Sequence, residues 1–418
     1  MCIKLKLAAF LLLASIVAKA QVASHYEVAL WSQFKSAAVS YTFDDNCSNQ
    51  LPVALPLFDK LNFKVTFFTV TNWGPNWTGL ANASANGHEI ASHTVTHTAL
   101  NTLTITNQDT ELNQSQLTIN SHITNSKCVT IAYPNCIEGD LSTIQKYYIA
   151  GRSCNNSIVS SSPSDFYSLG SIITGDLGAV KTAQDFNDKV SSAKISKGWC
   201  VFLTHGIDND GGYSPTSSSE ISSHLTFMDV NNADYWVAPF GNVVKYIRER
   251  NTSTVRETVI TNDSLQIDVH NTLDNTTYNE PLTIRRLLPT GWQNAAVYLN
   301  NTLINSTISH ITGSDYVTFD VVPDQGKIFM SSRSSVVTGI ENSIENSPIR
   351  IHPNPFSQEI TLDVDGDFTF TIVTLEGKVL EDGSGSGIKT IGKNLRPGMY
   401  ILWIRRGSNF FSTKLIKK

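Results

Sequence analysis

Residues 88–97 read HEIASHTVTH and hold three of the chain's 10 histidines beside a glutamate. His93 and His97 are four apart. On one helical turn that spacing turns both imidazoles to the same side, within reach of a single cation. A catalytic ion needs a third, harder ligand and an open coordination position. His88 and Glu89 follow Gly87 as a turn, and His88 reads as a neighbour rather than a ligand. The stretch YTFDDN, 41–46, ends an apolar strand on two adjacent carboxylates. Like charges so close raise one another's pKa; a cation beside one relieves that cost and leaves the other as a base. In CVFLTHGI, 200–207, His205 closes an apolar strand, at the carboxyl end of a sheet where α/β sites lie. Taken singly, each stretch also reads as an ordinary polar turn. Three such pieces in one α/β region, each at a strand end or the turn after it, are harder to dismiss.

The elements that must position these groups fall into three blocks. Residues 25–250 mix short apolar runs (VTFFTV, CVTIAYP, CVFLTHG) with helix-like segments such as ANASANGHEI and VVKYIRERN. That alternation predicts an α/β domain with a mostly parallel sheet. Residues 251–335 change to alternating apolar and polar residues between Asn/Asp/Gly/Ser turns, which predicts an antiparallel β module, a spacer or a carbohydrate binder. A Ser/Asn-rich linker spans 336–347, and residues 348–418 form a second small β unit with Gly-punctuated hairpins.

At 418 residues, with 41% apolar and 16% charged residues, the chain suits two or three globular domains. A net charge of −5 argues against nucleic acid as a partner. Residues 1–20 carry Lys4 and Lys6, an apolar run to Val17 and the small-x-small site Ala18-Lys19-Ala20, the pattern of a cleaved secretory signal. No later stretch is apolar enough to cross a bilayer. Export permits disulfides. Of the five cysteines beyond Cys2, at least one stays free; Cys128 and Cys136 flank a short strand and pair with each other or with Cys154.

TFDD, then His-Thr-x-x-His, then an apolar strand ending Leu-Thr-His resembles the polysaccharide deacetylase family, the NodB-homology domain of carbohydrate esterase family 4. The resemblance implies a distorted (β/α) barrel of seven parallel strands. It makes Asp44 the catalytic base and His205 the general acid. Asp45, His93 and His97 become ligands of one divalent ion, zinc foremost, with cobalt, nickel or manganese as alternatives. Leu203 becomes the apolar wall for the acetyl methyl group. Asn135, beside Tyr133 in IAYPNC, becomes the source of the oxyanion donor. The family's arginine that steadies the base falls at Ala132 here, so Arg152 is a candidate replacement. The family's Asp-Trp motif is missing in plain form; Asp176 is a candidate to tune His205. The tail, with HPNP at 352–355, VTLEGKVL at 373–380 and LRPGMY before a basic terminus, resembles the C-terminal sorting domain of type IX secretion. That implies the type IX machinery as a partner and release from, or attachment to, the outer surface of a Gram-negative cell. The expected function is deacetylation of an N- or O-acetylated polysaccharide. Two rivals are a sister hydrolase cutting a non-sugar amide and an inactive barrel kept as a surface glycan binder.

Overall fold

The computed structural model describes residues 24–332, 349–374, 378–406 and 409–418. The expected signal at 1–20 and the expected linker at 336–347 lie outside the described residues. The chain divides into two compact units, with the boundary between Arg333 and Ser334.

The first unit opens with a short strand, β1 (Tyr26–Val28), and then builds a curled parallel sheet. Its strands are β2 (Ala37–Asp44), β3 (Thr66–Thr69), β4 (Glu89–Ser92), β5 (Thr130–Ala132), β6 (Ala150–Arg152), β7 (Ile172–Ile173) and β8 (Trp199–Thr204). They run in the order β6-β5-β4-β3-β2-β8-β7, and β9 (Tyr235–Val237) pairs with the start of β2. Residues 166–171 fill the gap between the two edges: the Gly151 N–H donates to Phe166 O at 2.9 Å, and Arg152 bridges Leu169. This is the seven-stranded NodB-type barrel that the sequence pattern predicts. Helices α1 (Leu55–Asp59), α2 (Trp77–Ala85), α3 (Ile105–His122), α4 (Leu141–Ile144), α5 (Ala183–Ser196) and α6 (Ser218–Val230) lie between the strands in sequence, and α7 (Phe240–Thr252) follows β9.

Two-residue periodicity decides what faces the barrel's interior. Along β2, Val39, Tyr41 and Phe43 join the larger core, with Phe58 of α1 and Phe186 of α5, while Ala38 joins the smaller inner core. Asp44 shares the parity of Ala38. His93 follows Ala91, Arg152 follows Ala150 and Leu203 follows Val201, each in the same inner set. The short alanine side chains leave room for Phe240, Val243, Val244 and Ile247 of α7, which pack in that inner core.

The N-terminus of α7 has no side-chain cap of its own. Glu89 supplies one from inside the barrel. It accepts from the Gly241 N–H at 2.8 Å, from Thr66 Oγ1 at 2.8 Å and from Thr130 Oγ1 at 2.6 Å. A carboxylate there also complements the helix dipole. The glutamate of HEIASH thus anchors a helix, and His88 is likewise structural, its Nε2 2.9 Å from Asp59 Oδ1.

A β-sandwich follows in the same unit. One sheet runs β10 (Thr254–Thr261), β11 (Ser264–His270), β17 (Ile328–Ser331), β13 (Ala296–Leu299) and β14 (Thr302–Ile304). The other runs β1, β12 (Leu282–Leu287), β16 (Ser314–Val321) and β15 (Ser306–Ile311). Strand β1, which precedes the barrel, pairs antiparallel with β12 of this module. Trp236 and Tyr246 of the barrel also pack into the module's core with Ile284, Val317 and Phe319.

The second unit is antiparallel. Strand β19 (Ile360–Val373) pairs with β18 (Ile349–His352), with β20 (Val379–Ile391) and with β21 (Gly398–Arg406), and β21 pairs with β22 (Asn409–Lys417). Gly383 and Gly385 face Phe370 and Phe368 across the β19–β20 pair, and an added Cβ would press on those rings. Among the described residues no helix is long and apolar enough to cross a membrane.

Candidate active site

At the carboxyl ends of the barrel strands, Asp44, Asp45, His93, His97, Leu203 and His205 line one pocket of about 520 Å³ with Tyr133, Asn135 and Tyr213. Asp44 ends β2 with its side chain turned inward. Asp45 would point outward if the strand continued. Instead it takes a φ of +70°, followed by Asn46 at +55°, and this left-handed turn brings its carboxylate back to the pocket. Such conformations are costly for non-glycine residues and concentrate at functional sites. Asn46 secures the turn by donating from Nδ2 to Val70 O at 2.8 Å.

The two histidines stand on a loop after β4, not on the helical turn their spacing suggests. Thr94 and His97 both have positive φ, +66° and +62°. The same four-residue spacing works because the loop folds back: the His97 N–H donates to Thr94 Oγ1 at 3.1 Å. Glu111 on α3 holds the loop's crest, accepting from the Val95 N–H at 2.8 Å and the Thr96 N–H at 3.0 Å. The Nδ1 of His93 lies 2.8 Å from Ala132 O, which turns its Nε2 toward the carboxylates. Ala132 stands where the family carries its arginine, and it contributes a backbone carbonyl instead.

Asp45 Oδ1 is 3.5 Å from His93 Nε2 and 3.4 Å from His97 Nε2. One ligand atom from each of these three residues lies within 4.8 Å of the others. Asp45 Oδ1 is buried with no hydrogen-bond partner, an orphaned acceptor between two nitrogens. Two imidazoles and a carboxylate are a donor set for a zinc-like divalent ion, and the fit is good. Burial raises the Asp45 pKa, but the His93 imidazole and the charges of His205 and His97 outweigh it and hold the group below the usual carboxylate range. For His93, burial opposes the charged form, yet Asp44 and Asp45 prevail and the pKa ends above the ordinary imidazole value. Burial prevails at His97 and His205, which both end below it.

Arg152 reaches Asp44. Its NH2 donates to Asp44 Oδ2, and both side chains are buried. Its NH1 donates to Ser171 Oγ at 3.1 Å, and the Phe68 ring lies 5.0 Å from the guanidinium carbon. Asp44 Oδ1 has no hydrogen-bond partner.

Tyr133 and Asp176 are placed differently from the other expected residues. Tyr133 lines the pocket, but its N–H donates to Arg152 O at 3.1 Å and its hydroxyl to Tyr167 O at 2.7 Å, so it has no donor left for an oxyanion. Asp176 is exposed and outside the pocket; the Nδ1 of His205 is buried without a hydrogen-bond partner. Asn135 does line the pocket, with φ +55°.

Other residues escaped the sequence reading. Gln50 Nε2 donates to Asp44 O at 2.6 Å and to His205 O at 2.9 Å, tying the two strand ends together. Nothing near Gln50 in the sequence marks it. Cys136 and Cys154 form the disulfide, both lining the pocket, and Cys128 is free and buried. Trp73 and Tyr213, each about half exposed, stand 5.0 Å from the His97 ring and 5.1 Å from the His205 ring.

Residues 32–146 match the polysaccharide deacetylase family, and residues 350–418 match the secretion system C-terminal sorting domain. A curated gellan lyase from a Bacillus species is 29% identical over 345 residues, covering 76% of this chain and 14% of that protein. The chain therefore spans only a small part of that relative's length. Among solved structures, a family 4 acetyl xylan esterase from Clostridium thermocellum, in complex with a cobalt ion, is 16% identical, with a TM-score of 0.37 over 49% of this chain and 89% of that one. The CE4 domain of a multidomain xylanase from the hindgut metagenome of Trinervitermes trinervoides is 15% identical, with a TM-score of 0.37 over 50% of this chain and 89% of that one.

Proposed function

We propose, from a chain that carries a polysaccharide deacetylase domain and a type IX sorting domain, a secreted, metal-dependent hydrolase that removes acetyl groups from an N- or O-acetylated glycan. The observation that supports this most directly is the convergence of Asp45, His93 and His97 beside Asp44 and His205 in one pocket. Asp45, His93 and His97 hold the ion, zinc by preference for two imidazoles and a carboxylate. When bound, the ion supplies Lewis-acid polarisation of the acyl carbonyl and a more acidic water.

The chain's own residues do the rest. Asp44, with Oδ2 held by Arg152 and Oδ1 free of protein partners, takes the proton of the attacking water through Oδ1. Arg152 positions that carboxylate and balances its charge. Asn135 offers its backbone N–H to the developing oxyanion. His205 Nε2 donates a proton to the leaving nitrogen or oxygen, and an amine needs that protonation to leave. Leu203 and its β7 register partner Ile173 both line the pocket and form an apolar wall against the acetyl methyl group. Trp73 and Tyr213 flank the pocket with ring faces on which pyranose units stack.

The sorting domain directs the product of this gene across the outer membrane of a Gram-negative cell, so the substrate is extracellular. The likeness to the gellan lyase covers more of the chain than the barrel holds and so reaches into the β-sandwich. Gellan therefore joins chitin oligomers, peptidoglycan and acetylated xylan as substrates to test. The deciding experiment is acetate release from these glycans by the metal-free protein titrated with Zn2+. Stoichiometric, chelator-sensitive activity on one of them is expected; no acetate from any of them at any metal loading would leave a glycan binder.

A further inference from the structure

The turn that leads from β1 into the barrel is strained, and no hydrophobic core accounts for it. The Lys35 N–H donates to Ser32 O at 3.2 Å, and the two central residues, Gln33 and Phe34, have φ of +56° and +57°. A turn of this hand ordinarily takes Asn and Gly, and each left-handed side chain costs about 1 kcal/mol. A bulky aromatic there is an outlier. Phe34 belongs to none of the four hydrophobic clusters and is partly exposed. The barrel and sandwich are already joined by β1 pairing and by Trp236 and Tyr246, so the joint does not require this ring.

The turn is instead fixed against the outward face of the four-stranded sheet. The Gln33 N–H donates to Thr283 Oγ1 at 2.8 Å, and that hydroxyl donates to Asp320 Oδ1 at 2.5 Å. The Arg285 guanidinium lies 4.2 Å from the centre of the Phe34 ring and 5.3 Å from that of Tyr316, and its Nε donates to Glu27 Oε2 at 2.8 Å. Beside this stack lies a groove of about 540 Å³. Asn305, Thr307, Ser309 and Thr318 carry its amide and hydroxyl groups, and among the described residues these side chains have no protein hydrogen-bond partner. The face is four strands wide, ~14 Å at the spacing of paired strands.

We infer that this groove is a second glycan-binding site, remote from the pocket, which holds a stretch of the same polysaccharide while another stretch is deacetylated. Pyranose rings match it chemically: their C–H faces pack on a fixed aromatic ring, and their hydroxyls exchange hydrogen bonds with uncommitted hydroxyls, an amide and a guanidinium. Phe34 precedes β2 and Asp44 ends it, so the eight residues of β2 separate groove from pocket by ~26 Å at 3.3 Å per residue. A short oligosaccharide cannot occupy both; a polymer can, and gains effective concentration at the pocket.

The inference rests on the deacetylase reading, and its test separates the two. Phe34→Gly removes the ring and also relieves the left-handed strain, so the variant folds at least as well as the parent. Acetate release by the full chain is measured on acetylated xylan polymer and on its short oligomers, and on chitin polymer and oligomers. The expected result is a KM on polymer raised roughly tenfold, with kcat and the oligomer KM unchanged. Polymer and oligomer KM values both within twofold of the parent would overturn the site. If no glycan releases acetate, retardation of parent and variant in native gels cast with each polymer decides it: retardation lost in Phe34→Gly supports the groove, and equal migration overturns it. A concentration-dependent dimer that disappears in Phe34→Gly would also overturn it, by giving the groove to a second copy of the chain.

Discussion

Arg152 on β6 donates to Asp44 Oδ2 on β2, across three intervening strands and 108 residues of sequence, with both side chains buried. The arginine stands on an edge strand of three residues. Removing one partner of a buried pair leaves the other charge uncompensated, which costs about 3–5 kcal/mol. Arg152→Ala is expected to lower kcat by roughly a hundredfold or more and to lower the unfolding free energy by an amount in that range. Arg152→Lys keeps the charge, loses the second hydrogen bond to Ser171, and falls between. Steady-state acetate release and urea unfolding measure both; an Arg152→Ala enzyme with parental kcat would remove Arg152 from the positioning of the base.

Metal loading and turnover should separate by residue. His93→Ala is expected to lose the ion, whereas Asp44→Asn keeps it and loses turnover. Elemental analysis of the purified proteins reads the first, and acetate release the second. Zinc binding to the folded state alone should add about 2.7 kcal/mol to the parent's stability at a hundred times Kd and so raise its thermal midpoint, and should leave the midpoint of His93→Ala unmoved.

Cys136 follows Asn135, and Cys154 lies two residues beyond Arg152, so one disulfide ties the turn that holds Asn135, the proposed oxyanion donor, to the strand that holds Arg152. A bridge across a separation of 18 residues contributes about 3 kcal/mol. The Cys136→Ser, Cys154→Ser double variant is expected to lose about that much stability and to show a lower kcat with KM little changed. Treatment of the parent with dithiothreitol, which reduces the bridge to two thiols, should reproduce the effect.

Glu249 of α7 accepts from the Glu280 N–H at 3.0 Å through Oε2, and its Oε1 is buried without a partner. Burial, reinforced by the nearby Glu280 charge, raises the Glu249 pKa to about 8, and burial raises that of Glu280 to about 7. Both values lie above the 4.5 of the unfolded chain. Between about pH 4.5 and 8 the folded state therefore binds more protons than the unfolded one, and stability falls as pH rises. Glu249→Gln should flatten that slope. Thermal unfolding between pH 5 and 9 measures it, and an unchanged slope would reassign the dependence.

Glu89 lies four residues before His93 but acts as a helix anchor. Glu89→Ala removes the cap of α7 and leaves two buried threonine hydroxyls without their acceptor, a loss of about 1–3 kcal/mol. Metal content should be unchanged in the same preparation, which distinguishes an anchor from a ligand.

Strand parity, the adjacent aspartates, the spaced histidines and the strand-closing His205 were readable from the sequence, because each depends on neighbours a few residues away. The change from α/β to antiparallel β patterning near residue 250 was readable for the same reason. Other relationships join residues that local rules never compare. Arg152 meets Asp44 because the sheet curls until β6 faces β2 across the barrel. Tyr133 is consumed by Tyr167 and Arg152, and Cys136 takes Cys154 in preference to Cys128, through the same closure. Strand β1 joins the sandwich although it precedes the barrel and its partner β12 lies about 258 residues away, Glu27 pairing with Arg285. The sequence by itself singled out the groups proposed to carry the chemistry and the strands they follow. Only the tertiary structure decided which of them meet, because sheet curvature and closure are set by packing over the whole chain rather than by any local stretch.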